Sequence, residues 1–337
     1  MKPVRIAING FGRIGRVTLR RILLRSDMEL VAINDLAECA NLAHLLKYDS
    51  VHGSFDGTVS CKNNKMIVNG QEIIVLTEPD PAKLPWKQLQ IDVVIEATGV
   101  FIEPEKALLH VHKSGARKVI ISAPAKDEQE GVPYIVLGVN DHLIDRNALV
   151  ISNASCTTNN VAPLIKLLND NWGVQKGFIT TVHSYTKDQN LVDGPHKDWR
   201  RGRAAAYSIV PTTTGAAKAA TRIFPHLVGN LGGAGIRVPV PDGSLTDLTC
   251  TLDKSTSVEA INAVFKAAAE NEMKGILEYT EDPIVSADII GNTHSAIFDA
   301  GLTAVLGDKN KLVKVVAWYD NEMGYASRLV ELIAKFA

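Results

Sequence analysis

The chain has 337 residues, 36 basic and 37 acidic side chains, a formal net charge of −1, and 46% hydrophobic residues. That length suits two domains, each able to bury a core. The near-neutral balance argues against a protein whose main task is coating nucleic acid or an anionic membrane, and no apolar stretch is long enough to cross a bilayer. The four cysteines, Cys39, Cys61, Cys156 and Cys250, are widely spaced. They give neither a metal-ligand pattern nor a disulfide framework, so no metal and a reducing, cytoplasmic setting are expected. Met1 to Arg5 run straight into a strand without the apolar core of a signal peptide.

Val4 to Ile8 form an apolar strand. Gly10-Phe11-Gly12-Arg13-Ile14-Gly15 follows at once, then a helix through about Arg25 and a second strand from Glu29 to Asn34 that ends at Asp35. This is the context that makes three spaced glycines meaningful. Gly10 permits a tight turn, Gly12 lets backbone approach a pyrophosphate, and Gly15 lets helix and strand pack closely. The helix N-terminus then faces phosphate. Asp35 stands where a carboxylate accepts hydrogen bonds from ribose hydroxyls and repels a 2′-phosphate, which favours NAD over NADP. Arg13 suits cofactor phosphates; Arg16, Arg20, Arg21 and Arg25 read as a solvated face.

The βα alternation continues with a strand from Ile91 to Glu96 ending at Ala97-Thr98-Gly99, a helix from about Pro104 to Ser114, and a strand from Lys118 to Ile121 closing at Ser122. Tyr134 to Leu137 and Leu149 to Ile151 read as two further strands. Near-continuous apolar strands alternating with helices imply a parallel sheet covered on both faces. Ligand then sits at the carboxyl ends of the strands, which collects Gly10 to Gly15, Asp35, Thr98, Gly99, Ser122 and Cys156 at one edge.

Cys156 lies in Ser152-Asn153-Ala154-Ser155-Cys156-Thr157-Thr158-Asn159, between that last strand and a helix. A helix start favours thiolate, the nucleophilic form. A plain core cysteine is the alternative, but such a turn has no need of the hydroxyls of Ser155, Thr157 and Thr158. Gly177 to Val182 read as a strand with His183 at its end, a base for the thiol. The segment from Ser184 to Ser208 is long for a structureless loop. Arg200, Arg201, Arg203 and Arg237 offer guanidinium forks, and Thr212-Thr213-Thr214-Gly215 precede an Ala216 to Ala220 helix, a start that suits phosphate. The alternation from Asp247 to Asp253 gives a strand with one wet face and makes Cys250 a core residue. Thr256-Ser257-Val258-Glu259 is a capping box for a helix whose Ile261, Val264, Phe265 and Ala268 share a face. Val313 to Trp318 form a last strand and Ala326 to Lys335 a last helix.

Asn9 to Arg16, Ser152 to Asn159, Thr180-Thr181-Val182-His183, His196-Lys197-Asp198, Thr214 to Ala219 and Trp318 to Glu322 occur in family order, and over essentially its whole length the chain resembles the phosphorylating, NAD-linked glyceraldehyde-3-phosphate dehydrogenases. The resemblance implies an α/β chain: a Rossmann-type, mostly parallel sheet domain over residues 1–154, an α+β catalytic domain with a largely antiparallel sheet over 155–318, and a C-terminal helix over 319–337 returning to the first. It implies Cys156 as nucleophile and His183 as base. Gly10, Gly12, Arg13, Ile14, Gly15, Asp35, Thr98, Ser122, Asn321 and Tyr325 would hold NAD. Thr186 and Arg237 would bind the substrate phosphate, and Ser155, Thr157, Arg201, Thr214 and Gly215 the attacking inorganic phosphate. A homotetramer is also implied, with the 184–208 segment reaching toward a neighbour. Three departures stand out. Asn160 occupies a position where the family often has a second cysteine, Met323 replaces a usual tryptophan, and Pro79 stands where many members carry arginine. Erythrose-4-phosphate dehydrogenase is the nearest alternative enzyme, disfavoured by Thr186 and Thr214 to Lys218. A non-catalytic NAD-binding interaction protein is the alternative of another class.

Overall fold

The computed structural model describes residues 2–127, 131–307 and 309–337. In the first part of the chain the elements are β1 (Val4–Asn9), α1 (Arg13–Ile22), β2 (Met28–Asn34), α2 (Cys39–Lys47), β3 (Val59–Lys62), β4 (Lys65–Val68), β5 (Gln71–Leu76), β6 (Val93–Glu96), α3 (Pro104–Ala107), α4 (Leu109–His112), β7 (Lys118–Ile121) and β8 (Val150–Ser152). The strands form one sheet in the order β3-β4-β5-β2-β1-β6-β7-β8. All pairs from β5 to β8 are parallel, and β3-β4-β5 are antiparallel. Ile6, Ala7, Ile8, Ile33, Val93, Val94, Ile95, Val119, Ile120 and Ile121 are fully buried, as strands covered on both faces must be.

The later elements are α5 (Cys156–Trp172), β9 (Val174–Ser184), β10 (Val210–Thr212), α6 (Ala216–Ile223), β11 (Leu231–Val238), β12 (Ser244–Leu252), α7 (Val258–Glu270), β13 (Leu277–Thr280), β14 (Ala296–Asp299), β15 (Ala304–Leu306), β16 (Leu312–Tyr319) and α8 (Met323–Phe336). Their sheet runs β10-β11-β9-β12-β16-β14-β13, with β15 on β16. It is largely antiparallel, with parallel pairs at β9–β11 and β13–β14. Residues alternate buried and half-exposed along β12, and α5 packs against β9, β12, β14 and β16. Two compact units result: Met1–Ile135, His142–Ala154 and Ala326–Ala337 in one, Val136–Asp141 and Ser155–Tyr325 in the other. None of the described helices is long and apolar enough to cross a membrane.

Several sequence expectations need correction. Cys39, at the first residue of α2, is disulfide-bonded to Cys61 in β3, with Cα atoms 6.0 Å apart. The unforeseen antiparallel extension β3-β4-β5 brings Cys61 against α2. Tyr134 to Leu137 do not form a strand; a single bridge joins Tyr134 to Ser152. The expected 104–114 helix is two short helices, α3 and α4, meeting at Leu108. Helix α7 is capped by Ser257, whose Oγ accepts the Ala260 N–H at 3.2 Å, one residue later than the expected Thr256. Arg16 is buried, and its Nη1 donates to Phe11 O at 3.0 Å. Arg20 donates to Leu46 O and Gly53 O, both at 3.0 Å, so neither belongs to a solvated face.

Candidate active site

At the carboxyl edge of the first sheet, the glycines divide into two kinds. Gly10 has φ +95°, and a Cβ there would lie 2.6 Å from Thr98 N; a Cβ on Gly15 would lie 2.4 Å from Gly10 O. Both positions are closed by packing. Gly12 has nothing within 4 Å of its Cβ position. It caps α1 with no side-chain bond, and no acid lies in the first turn. A helix start left bare in this way is suited to an anion. Asp35 receives the Phe11 N–H at 2.8 Å and the Ala37 N–H at 3.1 Å, which fixes its carboxylate beside the glycine turn. Arg13 is held by Asp49 at 2.6 Å. Burial would raise the Asp49 carboxyl, but Arg13 and the N–H groups of His52 and Val51 outweigh it and hold it at about 2. Ser122 N donates to Glu96 O at 2.9 Å. Open backbone at Gly12, an anchored acid at Asp35 and an uncapped helix together fit a dinucleotide.

In the second unit Cys156 is the first residue of α5. The N-cap is Ser155, whose Oγ accepts the Thr158 N–H at 3.0 Å. That hydroxyl is therefore occupied as a cap. Cys156 Sγ lies 3.5 Å from His183 Nε2, although the two residues are 27 positions apart. His183 is the penultimate residue of the long strand β9, and its Nδ1 is 2.8 Å from Ser184 O. Arg237, across the β9–β11 pair, faces His183 in register. Its Nη1 lies 2.5 Å from the same Nδ1 and donates to Ser184 O at 3.0 Å. Burial, then the Arg237 charge, lower the His183 imidazole to about 3. With Nδ1–H donating to Ser184 O, the neutral ring keeps Nε2 free to accept a proton. Burial pushes the Cys156 thiol up, while Arg237 and hydrogen bonding to Thr157 pull the other way. A sulfur at the first residue of a helix, with an imidazole nitrogen 3.5 Å away, is placed to give up its proton.

Around this pair stand groups that sequence reasoning gave no role, Tyr319, Ser184 and Ser244, beside the expected Asn321. Tyr319 is fully buried, and its hydroxyl bridges Thr157 Oγ1 and Thr181 Oγ1, both at 2.9 Å. Its ring meets the His183 imidazole edge-on at 5.9 Å. The signal was present: a buried tyrosine hydroxyl needs partners, and Tyr319 lies inside a quoted motif. Asn321 Oδ1 receives Ser184 Oγ at 2.9 Å and Ser244 Oγ at 2.7 Å, which orients its amide with the nitrogen left to donate elsewhere. Asn160 is buried and donates to Trp318 O at 3.2 Å.

The anion residues are placed unequally. Arg237 stands in the catalytic group. Arg201 donates from Nε to Thr212 Oγ1 at 2.9 Å and pairs with Asp188 and, at 3.4 Å, with Asp198. Its charge is thus already partly answered. Gly215 caps α6 with no side-chain bond and nothing within 4 Å of its Cβ position, while Thr214 Oγ1 accepts the Ala216 N–H at 3.2 Å. This helix start is open at Gly215 but, unlike α1, has its first N–H taken by the Thr214 hydroxyl. Thr186 is half-buried, its N–H 3.4 Å from Gln189 Oε1. Tyr325 is buried in the first turn of α8.

This arrangement has counterparts in known proteins. Residues 4–104 match the family model "Glyceraldehyde 3-phosphate dehydrogenase, NAD binding domain" and residues 155–321 match "Glyceraldehyde 3-phosphate dehydrogenase, C-terminal domain". The chain is 54% identical over 335 residues to the glyceraldehyde-3-phosphate dehydrogenase of Geobacillus stearothermophilus, covering 99% of this chain and 98% of that protein. It is 56% identical over 331 residues to that of Thermotoga maritima and 54% over 336 residues to that of Clostridium pasteurianum, with at least 98% of every chain covered. With a cysteine at a helix start, a neutral histidine against it, and an anchored acid beside an open glycine turn, the chain belongs to the glyceraldehyde-3-phosphate dehydrogenase family.

Proposed function

We propose that this chain carries out the NAD-dependent oxidation of glyceraldehyde 3-phosphate with inorganic phosphate, giving the acyl phosphate, and that Cys156 and His183 perform the chemistry. The observation that carries this reading is the 3.5 Å approach of Cys156 Sγ to His183 Nε2, with Arg237 against the same imidazole. Gly10, Gly12, Ile14, Gly15, Asp35, Thr98 and Ser122 hold the dinucleotide, with Arg13 beside its phosphates. Asn321 and Tyr325 take the nicotinamide end. When bound, NAD supplies the hydride acceptor.

The Cys156 sulfur adds to the aldehyde carbon; the thiol proton passes to His183 Nε2, which returns it to the former carbonyl oxygen, giving the hemithioacetal hydroxyl and leaving His183 neutral again. As the carbon is oxidised, His183 takes the hydroxyl proton, and a thioester to Cys156 remains. An oxygen of inorganic phosphate attacks that carbonyl, the carbon–sulfur bond breaks, and the sulfur is regenerated. Covalent catalysis divides one hard oxidation into two easier steps and keeps acyl energy from water. Arg237 and Thr186 receive the substrate phosphate. Pairing with it offsets the guanidinium charge that depresses His183, so the base strengthens as substrate arrives. Ser155, Thr157, Arg201, Thr214 and Gly215 receive inorganic phosphate. We place the protein in a homotetramer.

The test is NADH absorbance with aldehyde and NAD, with and without phosphate. Phosphate-dependent production that Cys156→Ser abolishes, with NAD binding kept, is expected. A steady rate that ignores phosphate, or turnover surviving in Cys156→Ser, overturns the scheme.

A further inference from the structure

Three neighbouring strands each end in a buried polar residue. Asn34 closes β2, Asn9 closes β1 and Glu96 closes β6, and they stand side by side in register. They are 5%, 1% and 1% exposed. Every other side chain of β6 is apolar and buried, so a buried carboxylate at its end calls for an account. Its four acceptor positions are filled. Glu96 Oε1 takes Thr98 N–H at 2.8 Å and the Thr98 hydroxyl; Oε2 takes Asn9 Nδ2 at 2.6 Å and His110 Nε2 at 3.1 Å. The histidine's orientation follows from Trp86, whose indole N–H lies 2.9 Å from His110 Nδ1. Indole only donates, so Nδ1 accepts and Nε2 carries the proton toward Glu96. His110 and Trp86 are fully buried. On the other side, Asn34 Nδ2 donates to Asn9 Oδ1 at 2.7 Å and to Glu78 O at 2.9 Å, and Asn34 Oδ1 takes the Glu78 N–H at 2.9 Å.

This chain of bonds ends at the three turns that follow the three strands: Gly10 after Asn9, Asp35 after Asn34, and Thr98 after Glu96. We infer that Glu96 and His110, locked by Trp86, are positioning residues that hold the glycine turn, the ribose acid and the Thr98 turn in one geometry and thereby set NAD affinity. They touch no cofactor themselves; they act through Thr98 and Asn9. The inference rests on the reading that these turns hold NAD. Such a network is worth having only if complete, because one reversed polarity leaves buried donors facing each other.

Glu96→Gln is the direct test. It keeps shape and volume but places an amide NH2 where all four neighbours donate. NAD binding is measured by calorimetry on the full chain, beside thermal midpoint, KM for the aldehyde, and the alkylation rate of Cys156 without NAD. The dissociation constant for NAD is expected to rise at least about ten-fold, with kcat at saturating NAD within about two-fold and the aldehyde KM and the alkylation rate unchanged. Trp86→Phe removes the donor that locks His110 together with some buried ring volume, which the thermal midpoint registers, and about a three-fold weakening of NAD binding is expected. If Glu96→Gln does not fold, Trp86→Phe decides. Folded variants that bind NAD as the wild type does, or that lose aldehyde affinity and Cys156 reactivity in equal measure, overturn the inference. Wild-type protein that does not bind NAD overturns the underlying reading of the turns instead.

Discussion

His183 is kept uncharged by burial and by the Arg237 guanidinium, with its imidazole lowered to about 3, whereas in an unfolded chain it titrates near about 6.5. Below that value the unfolded state binds a proton that the folded state refuses. The contribution of neutral His183 is therefore fully present above about pH 6.5 and is lost as pH falls toward 3. His183→Asn removes this proton linkage. Its denaturant midpoint is expected to fall less steeply than the wild type's between pH 6 and 4, by up to one proton's slope, about 1.4 kcal/mol per pH unit. Parallel curves would show that His183 protonates in the fold. Cys156, His183 and Arg237 were legible in sequence because their residue types announce chemistry at strand and helix ends. Tyr319, Ser184, Ser244, Glu96 and His110 were not, because their importance lies in partners far away in the chain: Tyr319 bonds Thr157 across 162 positions and Ser244 bonds Asn321 across 77. Nothing local to a buried hydroxyl or carboxylate says which distant group will satisfy it.

Among the elements, the parallel strands were readable because burial on both faces makes them continuously apolar. Strands β3 to β5 were hidden by the opposite property: β3 has no buried residue, and in β4 and β5 buried residues alternate with half-exposed or exposed ones, with lysines at Lys62 and Lys65 and an acid at Glu72. Missing them also hid the disulfide, since only the β3–β4 pairing brings Cys61 beside α2. Conversely Tyr134 to Leu137 are buried and apolar but lie outside the strand ladder, which periodicity cannot distinguish. The bond between Cys39 and Cys61 closes a span of 22 positions. By chain entropy it contributes about 3 kcal/mol to the unit that holds it. Denatured, unreduced protein is expected to show two free thiols, Cys156 and Cys250, and four after reduction; four without reduction would exclude the bond. Cys39→Ser with Cys61→Ser is expected to lower the denaturant midpoint by that stability. In the native state alkylation is expected at Cys156 and not at Cys250, whose thiol burial pushes up to about 12.

For the whole molecule, the distribution of apolar surface matters more than net charge. Between β9 and β11 the chain exposes Leu191 and Val192 at 72% each, Trp199 at 88%, Tyr207 at 89% and Ile209 at 68%. Several of these lie among charged residues: Arg203 pairs with Asp193, and Arg201 with Asp188. A segment that pairs several of its charges internally while presenting large apolar groups outward suits an interaction surface. With a net charge of −1 no long-range repulsion keeps copies apart. The proposed homotetramer accounts for both features, because symmetric assembly covers the same patch on every copy. Light scattering at micromolar concentration is expected to give four times the 36.5 kDa chain mass. Trp199→Ser combined with Ile209→Ser removes apolar contact without touching the Cys156–His183 pair. The assembly is expected to dissociate to smaller species at concentrations where the wild type stays whole, while Cys156 remains open to alkylation. A wild type that is monomeric and fully active would show that these side chains serve some other surface and that the catalytic apparatus is complete within one chain.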